Sequence, residues 1–428
     1  MHLVDTALAK REAEKNPIRV GMIGAGFMAK GIANQIVNSV PGMSLVAIAN
    51  RTLPNAVKAY SEAGITSVNE VSSVIELEDR ITDGVAVVTE DPFLLCEAEG
   101  IDVLIDVTGA VEFGARVTMK AIECGKHMVS MNAELDATVG SVIQRKAAKA
   151  GVIYTLSDGD QPGVEMNLWR YVKGIGLTPL VCGNIKGLQD AYRNPTTQEE
   201  FAKKWGQNPY MVTSFADGSK ISFEQACVAN ATGMQVEMRG MRGGDFEGHI
   251  DELCHIDRYD VDHLKSLGGV VDYTVKSTPS PGVFVLATHE DPKQKHMLDL
   301  YKLGKGPLYS FYTPYHLCHF EVPFSIARVV LFSDQVLAAV RPMVDVITVA
   351  KTSLEPGTTL DEIGGYHSYG QCENYGTTRS ENLLPLGLAN GCVLKAKVSK
   401  DQAISFDDIE APEQGVAFDL WKEQLELF

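Results

Sequence analysis

A chain of 428 residues, 45% of them hydrophobic and 22% charged, has enough apolar mass for two or three cores and the balance of an ordinary folded protein. Its formal net charge of −17 excludes nucleic acid as the main partner, because a phosphate backbone needs a basic surface; an anionic ligand must be met by a local cluster of cations. No apolar run reaches the roughly 18 residues that span a bilayer, so no membrane partner is expected.

Leu3, Val4, Ala7 and Leu8 fit a short amphipathic helix stopped at Asn16-Pro17, and the surrounding charges leave no apolar core of a secretion signal. Eight cysteines are scattered without a Cys-x-x-Cys pair, which predicts reduced thiols and a cytoplasmic protein. Val20 to Ile23 then reads as a buried strand that breaks at Gly24-Ala25-Gly26. Apolar positions recur at Met28, Ile32, Ala33, Ile36 and Val37, one buried face of a helix. Strand, glycine turn and helix in this order, with Ala29 in the third small position, form the dinucleotide-binding fingerprint. Gly24 permits the tight turn, Gly26 lets N–H groups approach a pyrophosphate, and Phe27 and Met28 open a helix whose positive end favours an anion. A second strand, Leu45 to Ala49, ends at Asn50-Arg51-Thr52, where such units read the ribose. An amide, a guanidinium and a hydroxyl suit a 2′-phosphate better than a 2′-hydroxyl, so NADPH is the expected cofactor.

From here to about Ser157 strands and helices alternate. Val85 to Thr89, Asp102 to Thr108, Lys126 to Met131 and Val152 to Leu156 are strand candidates, with helices at Pro92 to Glu99, Gly114 to Glu123 and Asp136 to Ala150. Near-continuous apolar strands belong to a parallel sheet covered on both faces. The expected fold is α/β: a doubly wound Rossmann domain over 1–157, an α+β substrate domain over 158–314, a helix within 315–342 that returns to the first domain, and a small β-rich module over 343–428. In that module Asp345 to Asp361 and Leu394 to Ile409 look like a near-repeat of strand, turn and strand. Ligands of such sheets bind beyond the strand C-termini, which directs Thr108, Gly109 and Asn132 toward the nicotinamide end of the cofactor.

The candidate chemistry is carried by acids and lysines. Glu134, Asp158, Asp160 and Asp190 stand near predicted strand ends. They can divide into an acid and a base, and Glu134, Asp158 and Asp160 are a tentative set for Mg²⁺ or Mn²⁺. Asp158 and Asp160 can equally be turn-forming residues. Lys186, Arg193, Lys203, Lys204 and Lys220 gather positive charge in an acidic chain, as a small phosphorylated or acidic sugar-like substrate requires. Lys186 or Lys204 can also protonate an alkoxide. Asn230 and Thr232 are candidate donors to substrate, although Gly233 beside them also reads as a helix cap. His316 and His319 flank Cys318 but lack a second ligand cluster, so His316 is assigned to substrate contact rather than to zinc.

The cofactor half, with Gly24-Ala-Gly-Phe-Met-Ala29 and Asp102 to Gly109, resembles homoserine dehydrogenase. That family follows its later strand with Ala-Asn-Lys, where this chain reads Met131-Asn132-Ala133-Glu134, a departure that argues against homoserine oxidation. The whole chain is more similar to the type II 1-deoxy-D-xylulose 5-phosphate reductoisomerase-like proteins. The motifs that carry this are Met131 to Glu134, Ser157 to Gly163, Lys186 to Asp190, Pro195 to Gln198, Thr213 to Ile221 and Glu381 to Ala389. The resemblance implies a C-terminal SAF-type module. It also implies a metal-assisted rearrangement of a ketose phosphate, followed by NADPH reduction to 2-C-methyl-D-erythritol 4-phosphate for isoprenoid synthesis. Substrate domains of such dehydrogenases often build open sheets that pair across a two-fold axis, hence an expected homodimer or homotetramer. The rival readings are a dehydrogenase or oxidoisomerase of a sugar acid or homoserine-like hydroxy compound, and a non-catalytic NADP(H) or sugar sensor.

Overall fold

The computed structural model describes residues 3–410 and 415–428, which divide into two compact units. The first comprises Met1–Asp160, Leu317–Ala338 and Asp419–Leu427, and the second Gln161–His316 and Ala339–Phe418 together with Phe428. The C-terminal module of the sequence reading therefore clusters with the middle of the chain rather than standing as a third body, apart from its last helix.

The first unit is built on seven parallel strands: β1 (Ile18–Ile23), β2 (Met43–Ala49), β3 (Val68–Glu70), β4 (Ala86–Thr89), β5 (Val103–Asp106), β6 (His127–Ser130) and β7 (Tyr154–Leu156). Their order, β3-β4-β2-β1-β5-β6-β7, reverses direction between β1 and β5, the place where doubly wound sheets receive ligands. Every residue of β5 is buried, as a strand covered on both faces must be. The helix Phe27–Ser39 buries Ala29, Ile32, Ala33 and Ile36, the face its spacing predicts. The returning helix Val322–Phe332 buries Val322, Ile326 and Val329 in the same core cluster.

The second unit holds four strands, β8 (Thr178–Lys186), β9 (Val270–Val275), β10 (Gly282–Thr288) and β11 (Tyr309–Thr313), in the order β11-β10-β8-β9. β8 runs antiparallel to β10 and parallel to β9. Side chains alternate along β8. Asn184 and Lys186 turn toward the helices Gln161–Gly174 and Ser219–Thr232, where their hydrogen-bond partners lie. Val181 and Ile185 turn the other way, into a cluster with Phe284, Leu286, Ile250, Leu253, Tyr259 and Leu264. Ile250, Leu253, Tyr259 and Leu264 thus pack against the second face of this sheet.

The C-terminal part is β-rich. β12 (Val344–Ala350) pairs antiparallel over its whole length with β13 (Ser368–Asn374). The expected near-repeat at 394–409 forms single bridges among the described residues, Leu394 to Ile409 and Val349 of β12 to Ala403 among them. Asp345 in β12 is buried and accepts from Thr378 Oγ1 at 2.5 Å. Burial pushes its carboxyl up to about 6, against the opposing hydrogen bond from Thr378 and the charge of Arg379. A folded-state value above the unfolded one means that this carboxyl stabilises the fold below the unfolded pKa and that the benefit is lost as pH rises toward about 6. Asp345→Asn is expected to gain roughly 2–3 kcal/mol over the parent at pH 8, with the gap closing toward pH 4. Chemical denaturation at the two pH values checks this; an unchanged gap contradicts it.

Candidate functional site

The glycine turn of the first unit leaves β1 where only glycine fits. Gly24 lies at φ +106°, donates to Ala49 O at 2.8 Å, and would place a Cβ 3.1 Å from Val107 O. At Gly26 a Cβ would meet nothing within 4 Å, so the space before the helix Phe27–Ser39 is open. That helix has no side-chain cap, and its first-turn N–H groups are directed at whatever fills this space. The open cradle and uncapped helix end fit the pyrophosphate of a nicotinamide dinucleotide. Phe27 beside it is half exposed, and Met28 is partly buried.

Asn50 has a different task from the one read in the sequence. Its Oδ1 accepts from Ala25 N at 3.1 Å and its Nδ2 donates to Thr52 O at 2.8 Å, so it ties the glycine loop to the end of β2. Arg51 and Thr52 are exposed, and Arg51 makes no ion pair among the described residues. Thr108 donates through N and Oγ1 to Asp106 Oδ1, at 3.0 and 2.6 Å, and Gly109 follows at φ +69°. Burial raises the Asp106 carboxyl above the usual range, against those bonds. Asn132 is fully buried: its Oδ1 caps the helix Ala133–Ala150 on Leu135 N, and its Nδ2 donates to Asp106 Oδ2 and Ala110 O. Its side chain shapes the sheet end rather than facing a ligand.

The predicted acids do not assemble as a metal set. Among the described residues no three His, Cys, Asp or Glu are grouped to hold an ion. Glu134 is buried in the first turn of its helix. The Asp158 backbone N–H donates to Ser325 Oγ at 2.6 Å, and its Oδ2 accepts from Arg328 Nη1 at 3.2 Å. A guanidinium already supplies the positive charge that a metal would bring there. Asp160 is partly buried. Between them Gly159, at φ +88°, approaches Cys318, whose N–H donates to Gly159 O at 2.8 Å.

In the second unit the sheet end gathers a cluster that the sequence reading only half found. Lys186, last residue of β8, donates to Gln161 Oε1 at 2.5 Å and to Glu224 Oε2 at 3.1 Å; the side chain of Glu224 is 2% exposed. Asn184 Nδ2 donates to the same Glu224 oxygen at 2.9 Å. Gln225 Nε2 bridges Glu165 Oε2 and Asp272 O. Glu165 is fully buried; burial first and the Glu224 charge second hold its carboxyl well above the usual carboxylate range, against Gln225 and Lys186. A fixed ammonium beside an ionisable carboxylate can donate a proton to a developing alkoxide. Glu165 and Glu224 stand inside helices, where carboxylates read as solvated. The signal was their company: Glu224 lies in Ile221 to Val228, an otherwise uncharged run.

The other predicted residues scatter. Lys204 is exposed on the helix Pro195–Trp205, its Nζ 5.1 Å from the centroid of the Trp205 ring. Lys203 is exposed too, whereas Lys220 is buried in the helix Ser219–Thr232. Arg193 pairs through Nε with Asp190 Oδ2 at 3.1 Å. Asn230 is buried; its Oδ1 takes the N–H groups of Met343 and Val344 at 2.7 and 3.0 Å, which fastens β12 to the helix. Thr232 Oγ1 donates to Val228 O, and Gly233 caps the helix at φ +84°. His316 is partly buried after β11.

Comparison with known proteins follows the same division. Residues 18–130 match the family model described as an oxidoreductase family with an NAD-binding Rossmann fold, and residues 159–322 match that of the oxidoreductase DRL catalytic domain. Homoserine dehydrogenase of Methylobacillus glycogenes is 26% identical over 182 residues, 40% of this chain and 41% of that protein. The enzyme of Neisseria gonorrhoeae is 26% identical over 137 residues, 32% of this chain and 28% of that protein. The chain thus spans about two fifths or less of the length of these relatives. A probable dehydrogenase from Thermotoga maritima aligns over 74% of this chain and 90% of its own, at 12% identity and a TM-score of 0.41.

Proposed function

We propose that this NAD(P)-dependent oxidoreductase reduces a phosphorylated ketose skeleton with NADPH, as a type II 1-deoxy-D-xylulose 5-phosphate reductoisomerase. The observation that carries the reading is Lys186, fixed by Gln161 and Glu224 in the segment that matches an oxidoreductase catalytic domain. The sequence motifs from Ser157 to Gly163 and from Lys186 to Asp190 support it, and both contribute residues to this cluster.

The nicotinamide cofactor, when bound, supplies the hydride. Gly24, Gly26 and the helix N-terminus hold its pyrophosphate, and Arg51 reads the 2′-phosphate. Lys186 Nζ gives its proton to the oxygen that gains negative charge as the carbonyl is reduced. Glu224 orients that ammonium and balances its charge. Arg193 meets the substrate phosphate. No step is assigned to a divalent ion, since the described carboxylates do not gather as its ligands.

Arg51→Asp is expected to weaken NADPH roughly 10- to 100-fold, the worth of one charge-assisted contact, while NADH changes little. Calorimetric titration with both cofactors checks this; equal losses for both contradict it. The functional reading is tested with purified protein, NADPH and 1-deoxy-D-xylulose 5-phosphate, with and without Mg²⁺. The homoserine dehydrogenase matches favour homoserine with NADP⁺ as the rival pair in that assay, for which no turnover is expected.

A further inference from the structure

Residues 339–418 have no part in the chemistry above, yet they hold the loop that leaves Lys186. Among the described residues this loop, 187–194, is tied to its own body by Asp190 N, which donates to Ala216 O at 2.7 Å, by Gln189 Nε2, which donates to Tyr273 OH at 2.9 Å, and by Asn194, which caps the helix Pro195–Trp205. The C-terminal segment adds more. Lys351, at the end of β12, has a side chain only 4% exposed, and its Nζ donates to Arg193 O at 2.8 Å and Gly365 O at 2.7 Å while lying 2.7 Å from Asp217 Oδ2. An ammonium has three donors, and these three go to three separate segments. Asp401 receives Tyr192 OH at 2.9 Å and Tyr369 OH at 3.2 Å, and Lys400 Nζ stands 3.5 Å from the centroid of the Tyr192 ring. Ala191 packs against Ile347, Val349, Tyr369 and Leu383.

What the clamp presents is Arg193. Its Nε is taken by Asp190, and its two terminal nitrogens make no hydrogen bond among the described residues. A guanidinium held by its backbone, with that end of its fork unused, is built for an anion with paired oxygens. A buried lysine is costly where packing alone is needed, and an apolar side chain would fill β12 more cheaply. We propose that the C-terminal β-rich segment is a clamp on loop 187–194, with Lys351 and Asp401 as positioning residues that hold Arg193 for the phosphate of the substrate. This rests on the phosphorylated-substrate reading.

The test uses the full chain carrying Y192F together with D401N, surface changes that leave Lys351 and Asp217 in place. Hydrogen exchange read by mass spectrometry needs no turnover; faster exchange confined to 187–194 is the expected result. In steady state, KM for the ketose phosphate is expected to rise about tenfold with kcat within about twofold, as loss of uniform substrate binding gives. The unphosphorylated ketose should show no such rise, and Arg193→Ala should show the same KM effect. Lys397→Ala, which breaks an exposed pair with Glu355 in the same segment, serves as the control that changes neither. Unchanged exchange in 187–194 overturns the clamp, and faster exchange with unchanged KM overturns its role in phosphate binding. If the parent protein turns over no ketose phosphate, the functional reading fails while loop exchange still decides the clamp.

Discussion

Lys186→Met is expected to lower kcat on the ketose phosphate by about 10²- to 10⁴-fold, the usual contribution of a placed general acid, with NADPH affinity unchanged. The cofactor residues lie in the other compact unit, which is why binding and turnover should separate. The substitution also takes from Glu224 the cation 3.1 Å away, in a place where that carboxylate is nearly inaccessible to water. Some loss in the stability of the second unit is expected from that alone, limited by the other groups that hold Glu224, Asn184 among them. The double change K186M with E224Q separates the effects: stability should return and activity should not. Activity that returns with stability would make Lys186 a structural residue.

The second large effect is expected at Gly159. A Cβ there would lie 2.0 Å from Cys318 O, and both atoms belong to backbone, so no side chain can swing aside. The residue also holds φ +88°, a region that side chains other than glycine enter at a cost. Gly159→Ala should destabilise the first unit by roughly 3 kcal/mol or more, the sum of left-handed strain and a backbone clash that must be relieved. Thermal unfolding followed by circular dichroism would show it; a melting curve like that of the parent means the Gly159–Cys318 approach is not a fixed feature.

The Rossmann half was legible because its signals are local. Gly24, Gly26 and Ala29 lie within six residues, and β1, β2 and β5 are short apolar runs marked by Gly24 after the first, Gly42 before the second and Asp102 before the third. The second sheet was not, because β10 is buried at every position and so shows neither alternation nor a helical period. Site residues failed for a related reason. Asn230, read as a donor at a helix end, also accepts from Met343 and Val344 far along the chain, and no spacing rule reveals that. Lys186 was found because it belongs to a group of cations, Lys186 to Lys220, in a chain of net charge −17. Glu165 and Glu224 act only through the fold that buries them, and Asp158 reads as a metal ligand until Arg328 returns to pair with it.

The most direct test is the absorbance of NADPH after 1-deoxy-D-xylulose 5-phosphate is added to the purified chain in the presence of Mg²⁺. Substrate-dependent oxidation, absent in K186M and lost when the phosphate is removed from the sugar, is the predicted result. Protein that binds NADPH tightly and leaves it unoxidised under those conditions would contradict the assignment.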